Sequence, residues 1–151
     1  MQQRTDHSLW QHIAAELRAA TGQPFDAEGV RAAGGGCISQ GYRLPGKDGA
    51  AFVKLNRAAG LDMFAAEAEG LQALADTLAI RVPRPWTWGV HGQQSYLAME
   101  YLDLGGRLDP DRLGRALAAL HRVTADRFGW HRDNTIGSTP QPNPWTDDWV
   151  E

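Results

Sequence analysis

The sequence predicts an α+β fold, with a mostly antiparallel five-stranded sheet and helices on its flank. Strand-like segments come in two groups, over residues 28–55 and 86–101, and one helical segment separates the groups. The turns inside each group are short and rich in glycine and proline, which suits tight turns between neighbouring strands. Strands grouped around an intervening helix are typical of the α+β class.

The composition of the 151 residues excludes several classes of protein. Hydrophobic residues make up 42% and charged residues 22%, near the average for globular domains. The net charge of −3 gives no reason to expect a nucleic-acid partner, and no apolar run approaches the roughly 18 residues that span a bilayer. The N-terminus lacks a secretory signal, and a single cysteine excludes an internal disulfide and a multi-cysteine zinc site. We therefore expect a cytoplasmic protein with no nucleic-acid or membrane partner and no metal ligands within these residues.

The first predicted helix covers residues 7–20. Apolar residues recur there at helical spacing, Thr5 or Asp6 can cap its start, and residues 21–22 can end it. Three strands are then predicted at residues 30–33, 37–44 and 51–55. Because glycines and a proline separate them, we expect an antiparallel meander.

A second helix is predicted over residues 62–78, with an apolar stripe that runs from Phe64 to Leu78. Prolines interrupt it, and two further strands follow at residues 86–90 and 96–101.

A third helix is predicted over residues 110–125, with Asp109 as its cap and Pro110 in its first turn. A linker precedes it at residues 104–107. From residue 128 onwards the periodicity is lost, and the sequence predicts a loop.

A glycine-rich segment over residues 34–41 lies between two of the predicted strands. Glycines let the backbone approach a phosphate closely, and free N–H groups can form an anion cradle. The segment matches neither a Walker P-loop nor a dinucleotide fingerprint, because a strand and not a helix follows it. Taken alone, it is equally consistent with a flexible hairpin loop.

Two charged residues stand out against apolar surroundings. Lys54 shares a strand face with Phe52, and an edge or solvent-facing lysine is the ordinary explanation for it. Glu67 falls on the apolar stripe of the second helix, where a carboxylate needs a partner, and Lys54 is the obvious one. The alternative is that Glu67 lies at the edge of the stripe and reaches water. Glu69 falls on the opposite side of the helix, where we expect it to be solvated.

Together, the glycine hairpin, the strand lysine and the helix glutamate resemble the N-terminal lobe of the protein-kinase-like fold. In that lobe the ion pair holds the lysine where it contacts the α- and β-phosphates, and the glycine loop covers them. The last predicted strand fits the same interpretation. Met99 would line the pocket, and the backbone of Glu100, Tyr101 and Leu102 would meet the adenine edge.

The sequence also resembles the fructosamine kinase family along nearly its whole length. The motifs that carry this resemblance are, in chain order, residues 35–41 (GGCISQG), 52–54 (FVK), 64–67 (FAAE), 82–85 (VPRP), 99–102 (MEYL), 128–130 (FGW), 133–143 (DNTIGSTPQPN), Trp145 and 148–149 (DW). The run from Asn134 to Trp149 is the most specific part, because generic kinase-like folds do not share it.

This resemblance implies a role for each matching residue. Lys54 would contact the phosphates of ATP, and Glu67 would be its ion-pair partner. The nucleotide loop would include Gly34, Gly35, Gly36, Cys37 and Ile38, and the adenine linker would be Glu100, Tyr101 and Leu102. Residues 1–102 would form the nucleotide-binding lobe, and residues 103–151 would form the linker with the first helix and loop of the C-terminal lobe.

Members of this family are understood to phosphorylate the sugar 3-hydroxyl of ketosamines, on small amines or protein lysines, with ATP and Mg²⁺. The product releases the amine, so the activity is a deglycation repair. The family's catalytic loop (His-Gly-Asp, then an asparagine) and its metal-binding aspartate are expected beyond Glu151, so the chain as given is expected to be inactive. The alternatives are a related aminoglycoside- or choline-type kinase and a non-catalytic nucleotide-binding or oligomerisation module.

Cys37 has two interpretations. The family resemblance implies a redox switch, in which an intermolecular disulfide joins two copies into a homodimer, and N–H donors in the loop would favour the reactive thiolate. The alternative is an inert small residue.

Overall fold

The computed structural model describes residues 2–34, 38–107 and 109–148. Its helices are α1 (Gln2–Thr21), α2 (Leu61–Asp76) and α3 (Pro110–Leu120), and a 3₁₀ turn covers Ala58–Gly60. Its strands are β1 (Arg31–Ala32), β2 (Gln40–Gly46), β3 (Gly49–Arg57), β4 (Pro85–His91), β5 (Gln94–Glu100), β6 (Asn134–Ile136) and β7 (Thr139–Gln141). Up to α3, the order of helices and strands is the one that the sequence predicts.

The first five strands form one sheet in the spatial order β1-β2-β3-β5-β4, and all neighbouring pairs are antiparallel. The predicted α+β class and five-stranded sheet are therefore confirmed. The turn between β2 and β3 contains only Lys47 and Asp48, because Gly46 pairs with Gly49. β3 lies between β2 and β5, so Lys54 sits on an interior strand and not at an edge.

Alternation along β3 divides the core between the two faces of the sheet. Val53 and Leu55 belong to a buried cluster with Ile13 and Leu17 of α1. On the other face, Phe52 packs against a smaller cluster that includes Phe64 of α2. The sheet therefore lies between α1 and α2, and the predicted two-residue period of β3 is confirmed.

The start of α1 differs from the prediction. The helix begins at Gln2 and not at residue 7, so Thr5 and Asp6 lie inside it and neither can be its cap. Its end agrees with the prediction, because Gly22 adopts a φ of 77° and its N–H donates to the Arg18 carbonyl at 2.9 Å. A glycine in the left-handed region is a common helix stop.

The predicted end of α2 is wrong by two residues. The helix ends at Asp76, and Leu78 has a φ of 55° and an exposure of 91%, so the apolar stripe does not reach it. The Thr77 hydroxyl donates to the Leu74 carbonyl at 2.7 Å and accepts from the Ala79 N–H at 3.2 Å. These local bonds offer the backbone an alternative to further helix.

The predicted cap of α3 is confirmed, but the predicted length of the helix is wrong. The Asp109 side chain accepts a hydrogen bond from the Arg112 N–H at 3.0 Å, with proline in the first turn. The helix ends at Leu120 and not at residue 125, because the Arg122 and Val123 N–H groups donate three residues back. Such bonds tighten and finish a last turn.

A short hairpin replaces the loop that was predicted after residue 128. β6 and β7 pair antiparallel, with Asn134 opposite Gln141 and Ile136 opposite Thr139. The turn begins at Gly137, whose φ of 66° favours glycine. Strands of three residues are too short for a period of two to be recognised in the sequence.

None of the helices that the structure describes is both long enough and apolar enough to cross a membrane.

We expect Leu17→Ala to lower the free energy of unfolding by about 2–5 kcal/mol, because its side chain is 0% exposed in the core under α1. Leu113→Ala on α3 is the matched control. Its side chain is 46% exposed, so the change should stay within about 0.5 kcal/mol. Urea denaturation of both variants measures the difference, and equal losses would contradict this assignment of the core.

Candidate functional site

The site is organised around an ion pair between Lys54 of β3 and Glu67 of α2. The ammonium Nζ lies 2.8 Å from Glu67 Oε1 and 2.6 Å from Oε2. The side chains are 26% and 32% exposed, so both charges are partly withdrawn from water. The partner that the sequence predicted for Glu67 is confirmed, and the explanation of Lys54 as an edge or solvent-facing lysine is wrong.

Local structure explains why these two residues meet. Only the 3₁₀ turn Ala58–Gly60 separates β3 from α2, so the helix folds straight back across the strand. Phe64 and Ala68, which flank Glu67 on one side of the helix, are the buried residues of α2. The Lys54 ammonium also lies 5.8 Å from the centre of the Phe64 ring, within the range of a cation–π contact.

The ion pair opens into a cavity of about 1070 Å³. Besides Lys54 and Glu67, its lining includes the predicted residues Ile38, Met99, Glu100, Tyr101 and Leu102. Ser39, which lies in the predicted glycine-rich segment 34–41, lines it as well. The remaining lining residues, which sequence reasoning did not assign to the site, are Ala33, Phe52, Met63, Ala66, Gly70, Leu71, Leu74, Pro83, Leu104, Asn134, Thr135 and Gly137. Phe52 could have been found, because alternation puts it on the Lys54 face of β3.

The backbone at the end of β5 and in the linker after it is partly hydrogen-bonded to neighbouring segments of the chain. The Glu100 N–H donates to the Arg84 carbonyl at 2.8 Å, and the Tyr101 N–H donates to the Ala50 carbonyl at 3.1 Å. The Glu100 side chain pairs with Arg81 at 2.6 Å. Two of the three linker N–H groups that the sequence offered to a ligand are therefore already engaged.

The described residues of the glycine-rich segment lie between β1 and β2 or at the start of β2. Gly34 has a φ of 80°, and the Ala33 N–H donates to the Gly41 carbonyl at 3.0 Å. A Cβ on Gly41 would lie 2.3 Å from the Gly34 carbonyl oxygen, so this position needs glycine. Of the described residues of the segment, Ile38 and Ser39 line the cavity and Gly34 does not. Gly35, Gly36 and Cys37 lie outside the described residues, so the roles expected of them stay predictions.

The expectation that Glu69 is merely solvated is wrong. Its carboxylate lies 2.7 Å from Arg132 Nη1 and 2.9 Å from His131 Nε2. Arg132 also contacts Asp62, through both the carboxylate and the backbone carbonyl. These partners lie more than sixty residues along the chain from α2, so helical periodicity could not indicate them.

No cluster of three or more His, Cys, Asp or Glu side chains that could hold a metal ion occurs within residues 2–34, 38–107 and 109–148. Glu67, the carboxylate nearest to Lys54 in the cavity, accepts hydrogen bonds from Lys54 through both of its oxygens. We assign no magnesium ligand to the described residues.

The sequence model of fructosamine kinases matches residues 9–151. The chain belongs to the fructosamine kinase family. This confirms the resemblance that was inferred from the motifs.

The relatives that match this chain include proteins from bacteria and plants. The chain is 51% identical over 145 residues to a probable ketoamine kinase of Synechocystis, covering 94% of this chain and 49% of that protein. It is 45% identical over 126 residues to the chloroplastic protein-ribulosamine 3-kinase of Arabidopsis thaliana, covering 81% of this chain and 39% of that protein.

A solved structure supports the same family assignment. The crystal structure assigned as a fructosamine-3-kinase from Haemophilus somnus has a TM-score of 0.80 to this chain at 26% identity, covering 91% of this chain and 48% of that one. The fold is therefore protein-kinase-like, as expected. The chain spans about half the length of that protein and of the Synechocystis relative.

The Glu69–Arg132 contact should make the stability of this fructosamine kinase family member depend on pH. The hydrogen bond from Arg132, helped by that from His131, lowers the pKa of Glu69 below its ordinary value of 4.5. A carboxylate with a lowered pKa contributes stability that is present above the unfolded-state pKa and is lost as the pH falls through the folded-state pKa. The destabilisation caused by Glu69→Gln should therefore be largest at neutral pH and shrink below about pH 4.5.

Urea denaturation at neutral and acidic pH measures this effect. Glu16→Gln, at an exposed position of α1, is the matched control. A destabilisation by Glu69→Gln that stayed the same at both pH values would contradict the assigned ion pair.

Proposed function

We propose that this chain binds ATP in the cavity between β3, α2 and the linker, as the nucleotide-holding part of a kinase that phosphorylates ketosamines. The observation that carries the proposal is the Lys54–Glu67 ion pair, because it presents a fixed ammonium to a cavity of about 1070 Å³. Ligand pockets commonly enclose roughly 300–1,000 Å³, so the space is ample for a nucleotide. Membership of the fructosamine kinase family supports the same ligand.

The linker end of the cavity suits the adenine. Phe52 and Met99 are paired on neighbouring strands and both line the cavity, so they offer an apolar surface to the base. Because the Glu100 and Tyr101 N–H groups already bond to backbone carbonyls, we assign the linker donor for the adenine edge to the Leu102 N–H.

The other end of the cavity suits the phosphates. An ammonium has three N–H donors, and Glu67 accepts from Lys54 through two oxygens, so at least one donor remains for a phosphate oxygen. A charge that is held in place before the ligand arrives stabilises phosphate without reorganisation. We propose that the glycine loop, residues 34–41 including Gly35, Gly36 and Cys37, covers the phosphates, since Ile38 and Ser39 line the cavity beside Lys54.

We extend the proposal to the domains and to the reaction. Residues 1–102 form the nucleotide-binding lobe, and residues 103–151 form the linker and the start of a second lobe. In the reaction, the 3-hydroxyl oxygen of a ketosamine bonds to the γ-phosphorus of ATP, and the bond to the β–γ bridging oxygen breaks to release ADP. The substrate class follows the names of the relatives, ketoamine kinase and protein-ribulosamine 3-kinase.

Within this reaction, the residues described above bind and orient ATP. We assign neither the base that accepts the hydroxyl proton nor the magnesium ligands to this chain. Release of the free amine from the phosphorylated product would make the activity a deglycation repair, and we propose the cytoplasm as its place.

We expect ATP to raise the Tm of the 151-residue chain, and Lys54→Ala to weaken ATP binding by about 10- to 100-fold, the equivalent of one lost charge-assisted hydrogen bond. Thermal shift over a range of ATP concentrations measures the dissociation constant. Lys47→Ala, in the exposed turn between β2 and β3, is the matched control and should bind ATP normally. Equal binding by both variants would contradict the proposed site.

The chain has two lysines, Lys47 and Lys54, which allows a second check on the unchanged protein. Bound ATP should protect Lys54 from an amine-acylating reagent and leave Lys47 reactive, as read by mass spectrometry. If Lys54 were acylated equally with and without saturating ATP, contact between Lys54 and the phosphates would be contradicted.

The redox role expected of Cys37 is tested by oxidation. A mild oxidant should give a covalent dimer on a non-reducing gel, and Cys37→Ser should abolish it, because no other cysteine is present. A chain that stays monomeric under oxidant would favour the inert alternative.

A further inference from the structure

We propose that Arg132 is a positioning residue for the nucleotide site: it clamps α2 from the side away from Lys54 and so keeps Glu67 on the lysine. This inference rests on the proposed function for its effect on ATP, and its structural part can be tested without ATP. Arg132 touches neither Lys54 nor Glu67 in the described contacts, so its action passes through the helix.

The contacts of Arg132 form a clamp across two turns of α2. One guanidinium nitrogen donates to Glu69 at 2.7 Å, and the other donates to the carboxylate of Asp62 and to its backbone carbonyl, the latter at 3.3 Å. Asp62 and Glu69 are seven residues apart, which places them on the same face of a helix. The Arg132 side chain is 22% exposed and Glu69 is 33% exposed, whereas Asp62 is 88% exposed. Water therefore screens the bond to Glu69 less than the bond to Asp62.

The clamp and the lysine hold different sides of the helix. Glu69 is two positions after Glu67, which corresponds to a rotation of about 200° around the helix axis. Lys54 therefore draws α2 towards the sheet through Glu67, while Arg132 holds the face that carries Glu69 and Asp62. A rotation of α2 that moved Glu67 away from Lys54 would have to stretch the Arg132 bonds.

The apolar anchoring of α2 is small enough for this clamp to matter. Among the described residues of the helix, only Phe64 and Ala68 are buried, and Ala68 contributes little side-chain surface. By comparison, α1 contributes Leu9, Trp10, Ile13 and Leu17 to the core. Met63 and Leu71 pack against the same cluster but are only partly buried, so the ion pairs add to a modest apolar anchor.

Arg132 is itself held in place by the segment that contains it. The Asn143 side-chain amide donates to the Arg132 carbonyl at 3.2 Å, and the Asn143 N–H donates to the Asp133 carboxylate at 2.9 Å. The Trp130 N–H donates to the Asn143 carbonyl at 3.1 Å. A Cβ on Gly137 of the same segment would lie 2.9 Å from the Ile38 side chain, so the hairpin turn also rests beside the glycine-rich segment.

The test is a double-mutant cycle on ATP affinity. If Arg132 acts through Glu67, Arg132→Gln should weaken ATP binding about 3- to 10-fold in the wild-type chain and should add nothing in the Glu67→Gln background. The ATP affinity of Arg132→Lys should lie between those of the wild-type chain and Arg132→Gln. A single ammonium cannot reproduce the planar two-nitrogen contact with both carboxylates. Full additivity of the two substitutions would overturn the proposal.

Arg127→Gln is the matched control. Arg127 lies in the same segment and pairs with Asp147 at 2.7 Å, without contact to α2, so its replacement should leave the ATP affinity unchanged. If both arginine variants lower the Tm equally and neither alters the affinity, Arg132 has a structural role only and the proposal fails.

A spectroscopic measurement separates this inference from the proposed function. With two lysines in the chain, the ¹⁵N signal of the Lys54 ammonium can be assigned by its loss in Lys54→Ala. Without nucleotide, Arg132→Gln should shift this signal in the same direction as Glu67→Gln, and Arg127→Gln should not. If the shift occurs but Lys54→Ala binds ATP normally, the positioning role of Arg132 is supported and the proposed ATP site is contradicted. If no shift occurs, the positioning role of Arg132 is contradicted. Should Arg132→Gln not fold, Arg132→Lys and Glu69→Gln carry the same comparison.

Discussion

The ion pair between Lys54 and Glu67 is the constraint on which the rest of this structure depends. Two opposite charges, each less than one third exposed, are tolerated there because each satisfies the other at hydrogen-bond distance. This requirement fixes how α2 lies on the sheet, and the position of α2 sets one wall of the cavity. The same pair gives the cavity a positive group whose orientation is set before any ligand binds.

The two faces of the sheet have different tasks. On the α1 face, side chains of the helix and of three strands form the larger buried cluster, in which no charged residue takes part. On the α2 face, the apolar cluster is smaller, and the remaining space is the cavity. β3 connects the two, since Val53 and Leu55 point to the core while Phe52 and Lys54 point to the cavity. Stability and ligand binding therefore depend on alternate residues of one strand.

The segment after the linker is joined to the first part of the chain through α2. The ion pairs that cross this boundary join Arg132 and His131 on one side to Asp62 and Glu69 on the other. By contrast, the apolar residues Leu113 and Leu117 of α3 are exposed. The Synechocystis relative and the Haemophilus somnus protein that match this chain are about twice as long as it.

The sequence determined the features that depend on neighbours along the chain. The glycine and proline turns between strand-like segments predicted the sheet, and the Asp109 cap marked the start of α3. The alternation in β3 and the stripe around Phe64 on α2 predicted the Lys54–Glu67 pair. The pair was predictable because the strand and the helix adjoin in sequence. The tertiary structure alone decided the partners of Glu69, the engagement of the Glu100 and Tyr101 N–H groups, and the place of the β6–β7 hairpin beside the cavity. Those contacts join residues far apart in the chain, and a periodicity that reports only which side of a helix or strand a residue occupies cannot say what packs against that side.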